Sequence, residues 1–325
     1  LWKKLQTSSK YANRFIKKIQ PDIINLIGAE NPYHSVAALD VKQNIPIMVS
    51  LQTVYTNPDR LKFYPDVDKS KNWYIAKLIH EQCRYFGATG RMHRDLLLND
   101  NPNAIVFSLS WCSSALPEVK VVKKEFDFVN YAAQLSFQKG AHDSIRALGL
   151  VKKKYPKVSL NLVGGIDPEV KKELMHLIKS LDLQENVLFT PFFEQQKDMF
   201  QHIQKSCYAV LPCKMDIIST TMTQSMHYGL PLVVYKTTGT PKFNEKKECV
   251  LISEINKIES LAENMMLLLD NSEKAAQLKK NSREYIMAAK DNKKITDSLI
   301  ADYHAIIAHY NKGAAIPEEL LFNVN

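Results

Sequence analysis

From residue 126 to residue 252 the chain repeats one alternation: short runs rich in β-branched and aromatic residues, each followed by an amphipathic segment long enough for a helix. Strands are expected at 126–133, 159–163, 187–189, 208–211, 232–235 and 250–252. A helix-length crossover returns the chain so that the next strand runs parallel to the last. The pattern therefore dictates a parallel sheet with helices on both faces and ligands at the carboxyl ends of the strands.

Within this alternation, residues 207–241 read CYAVLPCKMDIISTTMTQSMHYGLPLVVYKTTGTP. A strand at 208–211, a helix at 219–228 and a strand at 230–235 make one βαβ unit. Gly229 suits a helix C-cap and Pro231 follows it. Ser219, Thr220 and Thr221 crowd the helix start, where hydroxyls can cap free N–H groups. A helix that begins at the carboxyl end of a parallel strand turns its positive dipole end to the ligand crevice, which suits a phosphate. Asp216 in the preceding loop and Gln224 about a turn inside the helix can then face one polyhydroxylated ligand. Thr221 and Gln224 also have the spacing of a capping box, so a purely local role for Gln224 stands beside the ligand role.

Four further spots invite a functional reading. Lys139-Gly140 follows the first strand of the alternation by a short loop and precedes a helix at 141–154, so its ammonium can neutralise diphosphate oxygens; the competing reading is a solvated lysine in a turn. Gly164-Gly165 marks a loop after a strand. In the first third, the loop from Gly28 to His34 follows a strand and precedes a helix, and Gln52 ends another strand. Glu30 and His34 are either ligand-facing or partners of the helix start. Gln52 has no titratable group and cannot act as a base.

The first third carries strands at 23–27, 45–51 and 104–109, with helices at 34–41, 73–86 and 92–98. That is about half of a six-stranded doubly wound sheet, and the first βαβ units of this domain are expected to be missing from the chain. Ahead of it, residues 1–20 place Leu1, Leu5, Phe15 and Ile19 at helical intervals among Lys3, Lys4, Lys10, Arg14, Lys17 and Lys18. Such a helix either lies on anionic lipid or packs its apolar side on a sheet with its lysines in water. A proline and charges around 116–124 mark a linker, and 295–310 forms a final amphipathic helix.

Composition narrows the partners. A chain of 325 residues, 45% hydrophobic and without low-complexity blocks, is long enough for two globular domains. Five cysteines without CxxC spacing argue for free thiols in a reducing cytoplasm and against a zinc site. No apolar run is long enough to cross a bilayer. The net charge of +9 favours anionic partners such as a nucleotide diphosphate or an acidic membrane surface. Basic residues are spread along the chain without aromatic interleaving, which argues against nucleic acid.

Asp216, Gln224, Ser225, Met226 and Gly229-Leu230-Pro231 keep the register of a motif that usually reads glutamate, seven residues, glutamate, Ala-Met, then Gly-x-Pro. In this respect the chain resembles the retaining GT-B glycosyltransferases of glycosyltransferase family 4. The resemblance implies two Rossmann-like domains facing a cleft: an acceptor-side domain at 1–118, a nucleotide-sugar-binding domain at 119–292, and a helix at 293–325 crossing back to brace the first. Relatives place arginine, a short loop and Lys-Gly where this chain has Gln134 and Lys139-Gly140. The resemblance thus implies catalytic roles for Lys139 and Asp216, donor contacts from Gln134, Gly140, Gly164, Ser219, Thr220, Thr221 and Gln224, and acceptor contacts from Glu30, His34 and Gln52. The implied activity is transfer of a hexose, with retention, from a UDP- or GDP-linked sugar to a glycan or lipid-linked acceptor in cell-surface polysaccharide synthesis. It needs no metal and no further cofactor, and would proceed in the cytoplasm or peripherally on the inner face of the membrane. The altered acids leave a non-catalytic nucleotide- or carbohydrate-binding relative as one alternative, and a nucleotide-sugar epimerase as another.

Overall fold

The computed structural model describes residues 2–41, 44–62, 64–112, 122–215, 219–237, 239–289 and 291–322, and side chains from residue 9 onward except those of 59 and 62. The chain divides into two compact units, Leu1–Cys112 with Asp291–Asn325, and Ser113–Lys290. The expected linker falls largely at 113–121, outside the described residues. No helix among the described residues is long and apolar enough to cross a membrane.

The first unit runs α1 (Trp2–Ile19), β1 (Ile24–Ile27), α2 (Pro32–Val41), β2 (Ile47–Ser50), α3 (Lys71–Gln82), β3 (Tyr85–Ala88), α4 (Arg91–Asp100) and β4 (Ile105–Ser108). Its four strands are parallel and ordered β1-β2-β3-β4. The sequence reading finds three of them and extends the helix at 73–86 over the fourth. In the structure α3 stops at Gln82 and Cys83 turns extended (ψ 158°), so Tyr85 and Phe86 open a strand. All four residues of β3 are buried. A strand covered on both faces shows no alternation, and the end of a helix then looks the same.

Helix α1 corrects a second expectation. Phe15 and Ile19 do not pack inward but are 62% and 68% exposed, with Tyr11 beside them at 63%. The less exposed side carries Ser9, Ala12, Asn13 and Ile16, and of these Ser9 and Asn13 both donate to the Asp40 carboxylate on α2. Two hydrogen bonds to one carboxylate thus hold this side of the helix toward α2.

The second unit continues with β5 (Phe126–Leu135), α5 (Ala141–Lys152), β6 (Leu160–Ile166), α6 (Pro168–Ser180), β7 (Val187–Thr190), α7 (Gln196–Ile203), β8 (Ser206–Leu211), α8 (Thr220–His227), β9 (Leu232–Tyr235), β10 (Leu251–Ser253), α9 (Ile258–Asp270) and α10 (Ser272–Ala289). All six expected strands are present and parallel, in the order β10-β9-β8-β5-β6-β7. One apolar cluster gathers α5, α6 and α9 with Phe128, Leu160 and Val233; the other gathers α7, α8 and Ile286 of α10 with Val129, Leu211 and Val234. The sheet is therefore covered on both faces, as near-continuous apolar strands require.

The last helix, α11 (Asn292–Lys312), belongs to the first unit. Ile306 is fully buried with Met48, Tyr85 and Phe107. Asn25 donates to the Tyr303 hydroxyl at 2.6 Å, and Tyr85 Oη lies 2.8 Å from His309 Nδ1. Asp302 on the same helix is 2% exposed, and desolvation pushes its carboxyl up to about 7.

Candidate active site

In the second sheet the order reverses at β5, which has β6 on one side and β8 on the other. At such a switch point the two crossovers leave to opposite faces and open a crevice beyond the strand carboxyl ends. The segments that leave β5 and β8 carry Lys139 and residues 212–215, and Ser219 stands at the start of α8.

These two loops are stitched together. Gly140 has φ +79°, and a Cβ built there would stand 2.4 Å from the Pro212 carbonyl oxygen. Glycine is required both by the left-handed backbone and by the close approach. The Lys214 N–H donates to the Gln138 carbonyl at 3.0 Å. The Lys139 N–H donates to Ser136 Oγ at 3.2 Å, closing the turn from below. Lys139 itself is half-buried at the rim of this junction.

Ser219 is the N-cap residue of α8, but its hydroxyl pairs with Thr221 Oγ1 at 2.7 Å instead of capping a helix N–H. Thr220 is exposed and Thr221 half-buried. The buried Tyr131 hydroxyl donates to the Thr221 carbonyl at 2.7 Å and lies 2.9 Å from Ser225 Oγ, tying the first turn of α8 to β5. Desolvation drives the Tyr131 phenol far above its ordinary range, so it stays a protonated donor. With the cap at Ser219, Thr221 is the second helical residue, and its capping box with Gln224 does not form. Gln224 is half-buried in the second turn. At the far end Gly229 (φ +67°) closes the helix as expected, with Leu230 N donating to the Ser225 carbonyl at 2.9 Å. Asp216 lies outside the described residues.

Gln134 is exposed at the end of β5, and its Oε1 stands 2.7 Å from where a Gly165 Cβ would be, so the amide lies along the backbone of the neighbouring strand. Gly164 is buried with φ +141°, and a Cβ there would sit 1.9 Å from the Ala132 carbonyl oxygen. That carbonyl belongs to the stretch between Tyr131 and Gln134 where the β5–β6 register shifts. Gly164 is thus demanded by the sheet, and Gly165 is the glycine beside Gln134.

Sequence reasoning missed the charged residues behind this junction. The Lys214 side chain is 2% exposed, with its ammonium 2.8 Å from Asp143 Oδ2 and 2.6 Å from Asn256 Oδ1. The same ammonium sits 3.8 Å from the centre of the Phe137 ring. Asp143 also accepts from the Tyr235 hydroxyl at 2.8 Å and from Arg146 at 3.2 Å. Burial, with the Asp143 carboxylate adding to it, raises the Tyr235 phenol far above its usual range. The signal available beforehand was an aspartate in the first turn of α5, three residues after Gly140. The burial of Lys214 leaves no periodic trace, because it sits in a loop.

The first unit gathers its three candidates at the carboxyl edge of its own sheet. Glu30 folds back over Gly28, and its Oε2 is shut from solvent without a hydrogen bond. The helix-start role goes to Asn31, whose side chain accepts from the Tyr33 N–H at 3.1 Å. His34 and Gln52 are exposed. Among the described residues, no group of three or more His, Cys, Asp or Glu side chains could hold a metal ion.

Two parallel-sheet α/β units, one with a lysine loop and a helix start meeting at its switch point, define a GT-B protein. Sucrose-phosphate synthase from Thermosynechococcus elongatus has a similar structure (TM-score 0.74, 15% identity, 94% of this chain and 78% of that one). So do TarM (TM-score 0.73, 17% identity, 92% and 58%) and Anabaena HepE in complex with UDP and glucose (TM-score 0.71, 15% identity, 92% and 81%). Residues 114–285 match the family described as Glycosyl transferases group 1, and the chain belongs to it. It is 27% identical over 179 residues to an uncharacterized glycosyltransferase of Haemophilus influenzae (strain ATCC 51907 / DSM 11121 / KW20 / Rd). That stretch is 55% of this chain and 49% of the relative, so the chain spans about half the length of the curated relative it matches.

Proposed function

We propose that the protein is a retaining hexosyltransferase that takes its sugar from a UDP- or GDP-linked donor and gives it to a glycan or lipid-linked acceptor for cell-surface polysaccharide. The observation that carries the reading is the seam between the Lys139 loop and the loop before α8, closed by Gly140 against Pro212 at the switch point. HepE, similar in fold, has been solved with UDP and with UDP-glucose.

As the glycosidic bond breaks, its electron pair leaves with the diphosphate, which gains one negative charge beyond the charge it already carries on each phosphate. Lys139 supplies a cation and the start of α8 supplies N–H dipoles that the Ser219 hydroxyl leaves uncapped. Asp216 accepts from sugar hydroxyls, and the Gln224 amide can both donate to and accept from ribose hydroxyls. Acceptor attack from the leaving-group face lets the phosphate take the proton, and Gln52 is then not required as a base. The exposed α1 stripe and its flanking lysines fit peripheral contact with an anionic membrane.

A second reading, a nucleotide-binding relative without turnover, is favoured by the neutral Gln134 and Gln224. Calorimetry with UDP and GDP, followed by turnover with a panel of nucleotide sugars on the full chain, separates the two. Binding with transfer supports the enzyme, and binding without hydrolysis or transfer supports the second reading. Absence of binding to either nucleotide refutes both.

A further inference from the structure

Taking a lysine ammonium out of water costs several kcal/mol unless paired. Lys214 meets that cost with Asp143 at 2.8 Å, Asn256 at 2.6 Å and the Phe137 ring at 3.8 Å. A buried ion pair is a poor source of stability, since apolar residues of like volume often do as well; what it specifies is one arrangement of the segments that carry it. Those segments are the loops of the proposed donor site. Asp143 lies in the first turn of α5 directly after Lys139-Gly140, and Phe137 in the loop before it. Lys214 lies between Pro212 and Asp216. Asn256 is in the turn after β10, held at φ +63°, and Tyr235, which donates to Asp143, ends β9. One buried charge pair thus fastens the connections that leave β5, β8 and β10, and with them the end of β9.

We propose that Lys214 and Asp143 are positioning residues for the donor: the pair holds residues 212–215, the segment that leaves β8, in register with Lys139, so that both sides meet one diphosphate. Lys214 spends its charge on Asp143 and Asn256 and does not stand in for the arginine absent at Gln134. This inference rests on the nucleotide-sugar reading above.

The test measures UDP and GDP affinity by calorimetry, and KM and kcat for the donor that turns over, on the full chain. The variants are Lys214→Met, Lys214→Arg and the doubly neutral Lys214→Met/Asp143→Asn. Lys214→Met should weaken nucleotide binding and raise donor KM about ten-fold or more, with acceptor KM unchanged, because misplaced loops lose contacts shared by ground and transition states. Lys214→Arg should recover part of that loss. The double variant leaves no buried unpaired charge, since Arg146, the other cation on Asp143, is 44% exposed, and it should melt near the wild type, yet keep the weakened donor affinity. If Lys214→Met binds nucleotide within two-fold of wild type, or lowers kcat alone through a smaller folded fraction, the proposal falls. It also falls if the double variant regains donor affinity together with stability. A wild type that binds neither nucleotide defeats the donor reading itself, and the clamp with it.

Discussion

Replacing Lys139 by alanine isolates the cation on which the proposed chemistry leans. An ammonium about 4 Å from a phosphate charge at an effective dielectric near 20 is worth about 4 kcal/mol. Lys139 is only half-buried, and solvent and salt remove about half of that, leaving about 2 kcal/mol. Two kcal/mol is a factor of about 30 in an equilibrium constant. Nucleotide affinity should therefore fall about 30-fold in Lys139→Ala. kcat should fall as well, because charge on the diphosphate grows as the sugar bond breaks. The assays are calorimetric titration with UDP and GDP and initial rates of donor consumption against donor concentration, with thermal melts alongside. A variant that binds nucleotide within two-fold of wild type, at an unchanged melting midpoint, would refute the assignment of Lys139 to the diphosphate.

Four further outcomes follow from particular residues. Gln134→Arg should tighten nucleotide binding about five-fold, since it adds a fixed guanidinium beside Gly165, and titration with and without added salt will show the electrostatic origin. Gly140→Ala forces a Cβ against the Pro212 carbonyl at a left-handed φ, so it should lower the unfolding free energy by about 2 kcal/mol or more and loosen nucleotide binding, read by denaturant melts and calorimetry. Asp302 is shifted up to about 7, so the folded chain holds a proton that the unfolded chain has released; stability falls as pH rises from about 4 to beyond 7, by as much as about 4 kcal/mol. Asp302→Asn should remove that slope and raise the melting midpoint above pH 7. His93, depressed to about 4 by burial, works in the opposite sense, losing stability as pH falls below about 6.5.

The alternation after Phe126 was enough to place all six strands of the second sheet, because a strand covered on both faces must be apolar and helix-length crossovers force it parallel. The first sheet was harder for the same reason: Tyr85–Ala88 is apolar throughout and follows a helix without a glycine or proline between them. At the site, residues set by backbone geometry were legible. Gly140 and Gly229 take the left-handed conformations their neighbours demand, and Ser219 stands at the helix start. Side-chain orientation was not legible, because it is decided by partners far along the chain. Asp40, thirty-one residues from Ser9, holds the Ser9 and Asn13 side of α1 inward, and Tyr11, Phe15 and Ile19 are left exposed. Asp143, Lys214, Tyr235 and Asn256 are spread over four connections and share no spacing rule. A buried charge is specified by what surrounds it in space, so the part of the donor site most exposed to error in a linear reading is the network that holds its loops together. The same physics says where substitutions will have effects that no motif forecasts: a neutral change at Lys214 takes from the buried Asp143 carboxylate its one buried cation and leaves it the Tyr235 hydroxyl and the part-exposed Arg146, whereas an equal change at a solvated lysine such as Lys236, in a pair more than half exposed on both sides, uncovers no buried charge.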